Sequence, residues 1–389
     1  MNSPQRIRLG MVGGGEGAFI GAVHRTAARL DDRYTLVAAA PSSDPERARA
    51  SGQAMHLAPE RVYADYRAMA RAEAARADGI EVVAIVTPNH LHHDVACAFL
   101  DAGIDVLCDK PLTRDLAEAD ALVARTRASG RLFGVTYTYS GYPMVREARA
   151  LVASGALGEV RVIQVEYAQD WLAAPLEATG QKQAAWRTDP ARSGEGGCIG
   201  DIGTHAYHLA GYVTGLQATE ISAELTRFVA GRLVDDDAQL RLRYANGARG
   251  LLWASQVACG CSNGLALRVF GSKGGLAWQQ ENPETLTFTA LGEPPRTLRR
   301  GGPGLGAAAT HATRVPGGHP EGYLEAFAQL YRDFADQVQA RRNGQTPPPL
   351  ALQLPDVVDG ARGMQFIDAA LRSSRNNAAW VALDAGRWN

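Results

Sequence analysis

The residue whose position points most directly to chemistry is Lys110, within residues 106–112. A short apolar run that ends in Asp109-Lys110-Pro111 predicts a buried strand whose end carries one lysine. Proline cannot continue the hydrogen-bond ladder, so the lysine lies at a defined exit from the strand. In open α/β sheets, ligands bind beyond the carboxyl ends of the strands. Lys110 is therefore a candidate catalytic residue, although a surface lysine without a function would give the same local pattern.

Lysine is rare in this chain, which makes the residue type at position 110 informative. The lysines are Lys110, Lys182 and Lys273, and arginine supplies almost all the other positive charge. A lysine ammonium is compact and can give up a proton, whereas an arginine guanidinium stays charged. The sequence therefore favours a role for Lys110 in which its ammonium takes part in proton transfer.

A second candidate centre lies in the glycine-rich residues 196–208, which become helical. Asp201 and His205 are four residues apart and His208 follows three residues later, so a helix places all three on one face. A carboxylate and an imidazole on one face can orient a substrate hydroxyl and accept its proton, because histidine titrates near neutral pH. Two other interpretations stay open at this point: Asp201 caps the helix while His205 packs in a core, or the three side chains bind a metal.

Alternating strands and helices up to residue 136 predict the elements that position Lys110. The third strand is an almost continuous apolar run, as in parallel sheets that are buried on both faces. This alternation predicts an α/β Rossmann domain, a doubly wound parallel sheet, in residues 1–136. The predicted strands are residues 7–12, 34–40, 81–86, 105–108 and 132–136.

The first strand runs into a glycine-rich turn that is typical of dinucleotide binding. Gly13, Gly15 and Ala18 form Gly-x-Gly-x-x-Ala between a strand and a predicted helix. Gly13 permits the tight turn, Gly15 lets the backbone approach a pyrophosphate, and Ala18 allows the helix to pack closely. The amides at the start of that helix would then face the phosphates.

The residues after the second strand bear on the choice of cofactor. An acidic residue at this point binds the ribose hydroxyls of NAD, whereas an arginine suits the extra phosphate of NADP. This chain has Ser42 and Ser43 there, and the Asp44 behind them is also placed to cap the next helix. The predicted cofactor is NAD, with NADP as the alternative. The predicted cofactor-binding residues are Gly13, Gly15, Ala18, Phe19, Ile20, Ser42, Ser43, Thr87, Pro88, Asn89, His92, Asp109 and Lys110.

Histidine and cysteine patterns do not predict a resident metal. His90, His92 and His93 follow the third strand, but no carboxylate or cysteine completes a set at ligand spacing. Packing or capping is the simpler explanation for His92 and His93. The five cysteines form no Cys-x-x-Cys pair, so neither a zinc site nor a disulfide framework is predicted.

The pattern changes from residue 137 onward. Successive strands fill residues 158–171 and 221–290, and helices are expected mainly at 143–154, 201–214 and 322–341. This pattern predicts an α+β domain in residues 137–389 with a large open, mainly antiparallel sheet, which binds substrate and mediates oligomerisation. One face of such a sheet commonly pairs with another subunit, so we expect a homodimer or homotetramer.

A glycine- and proline-rich segment at residues 301–320 is predicted to be a long loop, and long loops in compact domains often act as lids. It carries His311, Arg314 and His319, with Glu321 directly after it.

Composition excludes several classes of function. The net charge of −1 and the pI near 6.8 give no electrostatic footprint for nucleic acid or for an anionic membrane. No apolar run approaches the roughly 20 residues that span a bilayer, and no secretory signal is visible at the start of the chain. We therefore expect a soluble cytoplasmic protein that binds a small molecule.

The order of four motifs resembles the Gfo/Idh/MocA oxidoreductases, the family of glucose–fructose oxidoreductase and inositol dehydrogenase. The motifs are the glycine fingerprint, Thr87-Pro88-Asn89-His90, Asp109-Lys110-Pro111 and Asp201-Ile202-Gly203-Thr204-His205. The resemblance covers nearly the whole chain and implies tightly bound NAD(H) or NADP(H). It also implies that Lys110 contacts the substrate hydroxyl and the nicotinamide ribose, that His205 is the general acid/base, and that Asp201 positions the substrate. The family's Glu-Lys-Pro appears here as Asp-Lys-Pro, which keeps both the carboxylate and the lysine.

Two departures from the family pattern stand out. The histidine that the family usually has soon after the glycine loop comes later here, at His24, and the family often has an aspartate where this chain has His208. Two features are similar to a branch that acts on sugars and anhydrosugars, the levoglucosan dehydrogenases. They are the longer loop before His24 and the His-Pro-Glu-Gly at residues 319–322.

The resemblance predicts a dehydrogenase that oxidises a secondary ring hydroxyl of a sugar, anhydrosugar or cyclitol by hydride transfer to nicotinamide. Two alternatives remain: an NAD-dependent enzyme that cleaves glycosides through transient oxidation, and a non-catalytic sensor that binds the cofactor. The predicted substrate-binding residues are Tyr139, Trp186, Arg187, Asp201, His205 and His319.

Overall fold

The structure is a computed structural model that describes residues 6–388. The chain divides into two compact units. The first extends through Thr138 and also includes Tyr323–Ala361, and the second consists of Tyr139–Gly322 together with the chain from Arg362 onward.

The described residues form twelve α-helices and fourteen strands, with short 3-10 and π-helical turns between them. The helices are α1 (Phe19–Leu30), α2 (Pro45–Ala54), α3 (Tyr66–Ala74), α4 (His92–Asp101), α5 (Leu116–Ser129), α6 (Pro143–Ala153), α7 (Lys182–Arg187), α8 (Pro190–Ser193), α9 (Thr204–Thr214), α10 (Ala307–Ala312), α11 (Tyr323–Arg342) and α12 (Val357–Arg375). The strands are β1 (Ile7–Gly13), β2 (Tyr34–Ala40), β3 (Val82–Val86), β4 (Asp105–Cys108), β5 (Phe133–Val135), β6 (Val160–Ala168), β7 (Ala218–Thr226), β8 (Asp237–Tyr244), β9 (Arg249–Ser255), β10 (Gly264–Gly271), β11 (Gly274–Gln279), β12 (Thr285–Ala290), β13 (Arg296–Arg299) and β14 (Val381–Ala382).

The first unit is built on a five-stranded parallel sheet in the order β2-β1-β3-β4-β5. Its central strands are apolar and buried because helices cover both faces, which confirms the predicted doubly wound sheet. The strand order reverses between β1 and β3, where Gly13 pairs with Val86. In sheets of this kind the ligand crevice opens at that switch point, beyond the carboxyl ends of the strands.

Residues 323–361 lie in the first unit, whereas the boundary drawn at residue 136 assigned them to the second domain. Helix α11 packs against α1, and its Phe327, Tyr331 and Phe334 belong to the same apolar core as β1. The hydroxyl of Tyr34 donates to the backbone oxygen of Tyr331 at 2.8 Å, across nearly 300 residues of sequence. The domain boundary predicted from the sequence therefore differs from the division in the structure, because the partner of this amphipathic helix is far away along the chain.

The second unit is built on a nine-stranded sheet in the order β13-β12-β11-β10-β6-β9-β8-β7-β14. All neighbouring pairs are antiparallel except β6 and β9, which are parallel. Helix α9 packs on β6, β9 and β10, and α6 packs on α9. Residues in β6 alternate between this helix-covered face and the opposite face. The strand pairing confirms the predicted large, mainly antiparallel sheet.

Five elements differ from the prediction. Helix α12 was not predicted, because its glycines weaken a helical pattern. Gly360 lies at a close contact, where a Cβ would come within 3.0 Å of the Leu112 Cβ. The predicted loop at residues 301–320 contains α10, an alanine-rich helix whose preceding Gly306 N–H donates to Glu147 Oε2 at 2.8 Å. The predicted helix at 201–214 begins as a π-helical turn, Ile199–Gly203, which continues into α9. Strands β13 and β14 were also not predicted.

In the part of the chain that the structure describes, no helix is both long enough and apolar enough to cross a membrane.

Candidate active site

The turn after β1 has no room for side chains at its key positions. Gly13 and Gly14 have φ angles of 84° and 69°, in the left-handed region that favours glycine. A Cβ on Gly13 would lie 2.8 Å from the Val86 oxygen, and one on Gly15 would lie 2.7 Å from the Pro41 oxygen. The turn is thus a backbone cradle of the kind that holds a pyrophosphate, and its geometry fits NAD.

The close contact between this turn and α1 is made by Gly21, which the sequence analysis did not single out. A Cβ on Gly21 would lie 2.4 Å from the Gly14 Cα and 2.7 Å from the Gly14 oxygen. Ala18 instead precedes the helix with extended backbone, at φ −97° and ψ 111°. The packing role assigned to Ala18 therefore belongs to Gly21, three residues later, and the glycine itself was the available signal.

The polar groups at the end of β2 divide into a helix cap and two serines. The Asp44 carboxylate accepts the Arg47 N–H at 2.8 Å and so caps α2. Ser42 and Ser43 remain as the side chains at the strand exit. At the start of α1, Phe19 is 68% exposed, whereas Ile20 packs against the core.

His92 links the ends of β3 and β4. Its fully buried ring places Nε2 2.8 Å from the Thr87 oxygen and Nδ1 2.9 Å from the Pro111 oxygen. Burial lowers the pKa of His92, and the Asp109 carboxylate opposes that shift. Both ring nitrogens face backbone carbonyls, so the geometry favours the packing interpretation of His92 over direct contact with a cofactor.

Thr87 follows β3 at the switch point and offers a polar atom to a ligand. Its Oγ1 is buried and, within residues 6–388, has no hydrogen-bond partner. A buried hydroxyl of this kind is costly unless something satisfies it, which a bound cofactor would do. The neighbouring Asn89 is also buried, on a 3-10 turn that leads into α4.

Lys110 is half-buried directly after β4, and its peptide bond to Pro111 is cis. The Asp109 carboxylate accepts the Lys110 N–H at 2.9 Å and the Thr136 hydroxyl at 3.0 Å. These two bonds fix the backbone that carries the lysine. The carboxylate of the Asp-Lys-Pro motif thus supports Lys110 from its own strand end.

In the second unit, Asp235 holds the π-helical turn that carries Asp201. Its buried carboxylate accepts the N–H groups of Gly197 at 2.7 Å and Ile199 at 2.8 Å, and the Cys198 thiol donates to it at 3.1 Å. Burial raises the pKa of Asp235, and these donors oppose the shift. A Cβ on Gly197 would lie 2.0 Å from the backbone oxygen of Asp235, so the glycine is required there. Asp235 was not predicted from the sequence, because no local motif marks it.

Asp201 lies in a polar group that includes two of the predicted substrate residues. Gln256 Nε2 donates to Asp201 Oδ2 at 2.9 Å, and Arg187 Nε lies 3.3 Å from the same oxygen. The Arg187 guanidinium carbon lies 4.3 Å from the centre of the Trp186 ring. The structure therefore brings together Trp186, Arg187 and Asp201, three of the predicted substrate-binding residues.

His205 is enclosed by two tyrosines. The Tyr139 ring meets the imidazole edge-on, with centroids 4.8 Å apart, and the Tyr167 ring lies 6.1 Å away. The two tyrosine hydroxyls are hydrogen-bonded to each other, and the Tyr167 hydroxyl donates to Asn263 Oδ1 at 2.6 Å. Burial raises the pKa of Tyr139 well above its ordinary value, so that its hydroxyl stays protonated. Tyr167 and Asn263 were not predicted.

The other two candidate histidines have different surroundings. His208 stacks on Tyr212, and desolvation together with the nearby Arg149 lowers the pKa of His208 to about 3, so its ring is neutral. His319 is exposed, with Nδ1 3.3 Å from the Pro316 oxygen, and it forms no hydrogen bond to the residues around His205. Among residues 6–388, no group of three or more His, Cys, Asp or Glu side chains is arranged to hold a metal.

Two family models match this chain, each over a different domain. Residues 7–137 match the oxidoreductase family with an NAD-binding Rossmann fold, and residues 145–277 match the GFO/IDH/MocA C-terminal domain. The chain therefore belongs to the Gfo/Idh/MocA family, and it is an NAD(P)-dependent oxidoreductase whose first unit binds NAD.

Similar proteins extend this comparison over the whole chain. The crystal structure of an oxidoreductase from Sinorhizobium meliloti is 49% identical, with a TM-score of 0.88 over 97% of this chain and 99% of the other. An inositol dehydrogenase homologue from Azotobacter vinelandii, solved with NAD+, is 37% identical with a TM-score of 0.93 over 98% of both chains. The same homologue was also solved with NADH and myo-inositol. The levoglucosan dehydrogenase of Pseudarthrobacter phenanthrenivorans is 28% identical over 72% of this chain and 76% of its own.

Proposed function

We propose that this protein is a dehydrogenase that oxidises a secondary ring hydroxyl of a sugar, anhydrosugar or cyclitol. Bound NAD supplies the hydride acceptor for this reaction. The observation that carries the proposal is the grouping of Asp201, Arg187 and Gln256 beside the glycine-rich turn that leads into α9 and His205. Similarity to a protein solved with NADH and myo-inositol, and to levoglucosan dehydrogenase, supports a polyol as the substrate class.

Each proposed catalytic residue has one task. His205 accepts the proton of the substrate hydroxyl, and its tyrosine surroundings hold the ring in one orientation. Asp201 accepts a hydrogen bond from the substrate and so orients it. The Lys110 ammonium stabilises the negative charge that develops on the hydroxyl oxygen, and the Asp109 support keeps it in place.

In the first unit, the proposed cofactor contacts come mainly from the backbone. The Gly13–Gly15 turn would hold the pyrophosphate, Ser42 and Ser43 the adenosine ribose, and Thr87 the nicotinamide side. Asp44 is engaged as a cap, so the residues after β2 do not decide between NAD and NADP. We propose NAD as the preferred cofactor on the strength of the solved relatives, with NADP as the alternative.

The test is the formation of reduced nicotinamide by wild type, Lys110→Ala and His205→Ala across a panel of cyclitols, pyranoses and levoglucosan. We expect wild type to turn over at least one ring polyol. Both variants should lose roughly 100-fold or more in kcat, as expected when a proton-transfer group is removed, while they still bind NAD. Cleavage of a glycoside that needs bound NAD, without net reduction, would contradict the proposal, and so would full activity in either variant.

We also propose that the uncovered face of the nine-stranded sheet binds a second copy of this chain. On that face Glu166 and Glu224 lie in one cross-strand row, and Arg268 and Arg241 lie in the next. Between the two arginines lies Leu251, which is 50% exposed. A two-fold axis through such a face sets the acidic row of one copy against the basic row of the other, as an isologous interface requires.

A further inference from the structure

Trp171 lies beside the proposed substrate-binding residues, although no motif marks it. The segment that follows β6 places its indole ring 5.9 Å from the guanidinium carbon of Arg187. Arg187 also stacks on Trp186, so two tryptophans flank one guanidinium. Both rings are half-buried and therefore keep part of their surface accessible.

The segment that carries Trp171 is fixed by an arginine with only 1% of its side chain exposed. Arg232 donates to the backbone oxygens of Leu172 at 2.8 Å and Ala174 at 3.3 Å, and it pairs with Glu177 at 3.0 Å. A buried arginine that binds two carbonyls of one segment holds that segment in a single conformation. The backbone next to Trp171 is thus held in place before any ligand arrives, which reduces the entropy that binding costs.

The same segment is tied to Asp201 through Gln256. The Leu172 N–H donates to the Gln256 backbone oxygen at 3.2 Å, and the Gln256 side chain donates to Asp201 at 2.9 Å. Trp171 and Asp201 therefore share one support.

The charges of this group cancel. The Arg187–Asp201 ion pair has 26% and 19% of its two side chains exposed, so both polar groups remain reachable from solvent. An arginine whose charge is already balanced has little attraction left for an anionic ligand. Aromatic surface beside a few polar groups is typical of small-molecule sites.

We propose that Trp171 is a further specificity-determining residue, whose indole face binds the C–H face of a neutral polyhydroxylated ring while Arg187 and Asp201 bind two of its neighbouring hydroxyls. This inference rests on the proposed function and narrows its substrate class. A neutral cyclic polyol fits both the flat apolar surface and the balanced ion pair. An acyclic polyol has no rigid C–H face to present, and a uronate adds an unpaired charge.

The experiment compares wild type, Trp171→Phe, Trp171→Ala and the control Trp380→Ala. Trp380 also stacks with two arginines, but these are Arg241 and Arg243 on β8, and Arg243 pairs with Glu220. The probes are myo-inositol, levoglucosan, sorbitol and glucuronate. KM and kcat are measured with NAD, and calorimetric binding is measured with NADH present, which reports affinity without turnover.

We expect wild type to bind myo-inositol or levoglucosan at least tenfold more tightly than sorbitol or glucuronate. Trp171→Ala should raise KM and the calorimetric Kd roughly tenfold with kcat little changed, because uniform binding is lost, and Trp171→Phe should recover part of the affinity. Trp380→Ala should match wild type. Unchanged affinity in Trp171→Ala, or equal binding of glucuronate, would overturn the inference.

The two proposals fail in different ways. Wild-type turnover that is indifferent to Trp171 would refute this inference and leave the dehydrogenase standing. Ring-polyol binding that depends on Trp171, without formation of reduced nicotinamide, would support this inference and refute the dehydrogenase. No binding of any ring polyol to wild type would refute both.

Discussion

At the scale of single residues, the surroundings of His205 fix the orientation of the histidine that we propose as the general acid/base. Tyr139 and Tyr167 meet the imidazole with their rings, and their hydroxyls bond to each other and to Asn263. The hydroxyl pair fixes the two rings, and the rings fix the histidine. Orientation of this kind contributes to rate because small displacements of a catalytic group are costly.

Removal of the Tyr167 hydroxyl tests this arrangement. Tyr167→Phe keeps the ring but breaks the bonds to Tyr139 and Asn263, so we expect kcat to fall roughly tenfold while KM changes little. The free energy of unfolding should fall by about 2 kcal/mol, since two hydrogen bonds are lost and each usually contributes about 1 kcal/mol. The matched control is Tyr207→Phe on α9, since the Tyr207 ring stacks on Phe366 and its hydroxyl has no hydrogen bond within residues 6–388. Equal kcat values in wild type and Tyr167→Phe would exclude the positioning role.

His24 makes the stability of the protein depend on pH. Its Nδ1 lies 2.8 Å from the Tyr331 hydroxyl, and burial lowers the pKa of His24 from 6.5 to about 4. Between these values the unfolded chain binds a proton that the folded chain does not, so the stabilisation is complete above pH 6.5 and is lost as the pH falls toward 4.

The expected loss is about 3 kcal/mol in the free energy of unfolding, from about 1.4 kcal/mol for each unit of pKa. Urea unfolding at a series of pH values measures it. His24→Gln should flatten the curve in this window by that amount, whereas the exposed His319→Gln should not. Identical slopes in wild type and His24→Gln would contradict the assignment.

At the scale of elements, the turn between β1 and α1 depends on two glycines seven residues apart. A methyl group on Gly21 would meet the Gly14 backbone at 2.4 Å and push the helix away from the turn. Gly21→Ala should therefore weaken NAD binding by roughly tenfold or more and lower Tm. The control is Gly211→Ala in α9, where the nearest atom to a new Cβ is 3.6 Å away and alanine should be neutral or stabilising. Fluorescence titration with NADH and thermal unfolding distinguish the two, and unchanged NADH affinity in Gly21→Ala would refute the contact.

Elements with a strong local signal could be predicted, and elements defined by distant partners could not. The strand that delivers Lys110 is marked by its apolar run and by the proline after it. The π-helical turn at Ile199–Gly203 depends on Asp235, which is more than 30 residues away and has no motif of its own. The Tyr167–Asn263 bond needs β6 beside β10, a register that only the assembled sheet defines.

At the scale of the whole molecule, the pattern of strands and helices predicted the two architectures, and the return of the chain to the first unit was missed. Residues 323–361 return to the first unit because α11 buries its apolar stripe against α1 and the sheet. The residues that the second unit gathers around Asp201 come from several separate segments. Sequence spacing suggested Trp186 and Arg187 as substrate-binding residues, but it gave no reason to choose Trp171 or Gln256.

The open sheet face leads to a prediction about assembly. Leu251→Glu places a charge in the middle of the proposed interface between copies, so the variant should sediment as a smaller species than wild type at the same concentration. Leu352→Glu is the control, because Leu352 is 59% exposed in the first unit and lies outside that sheet. Equal sedimentation coefficients for wild type and Leu251→Glu would place any interface elsewhere.

In the proposed reaction, hydride leaves a ring carbon of a polyol and reaches NAD. The most direct measurement uses myo-inositol or levoglucosan deuterated at the ring carbons, followed by mass spectrometry of the nicotinamide product. We expect reduced nicotinamide that carries one deuterium, formed at a rate that falls with His205→Ala and Lys110→Ala. Unlabelled reduced nicotinamide, or a converted substrate without any reduced nicotinamide, would contradict it.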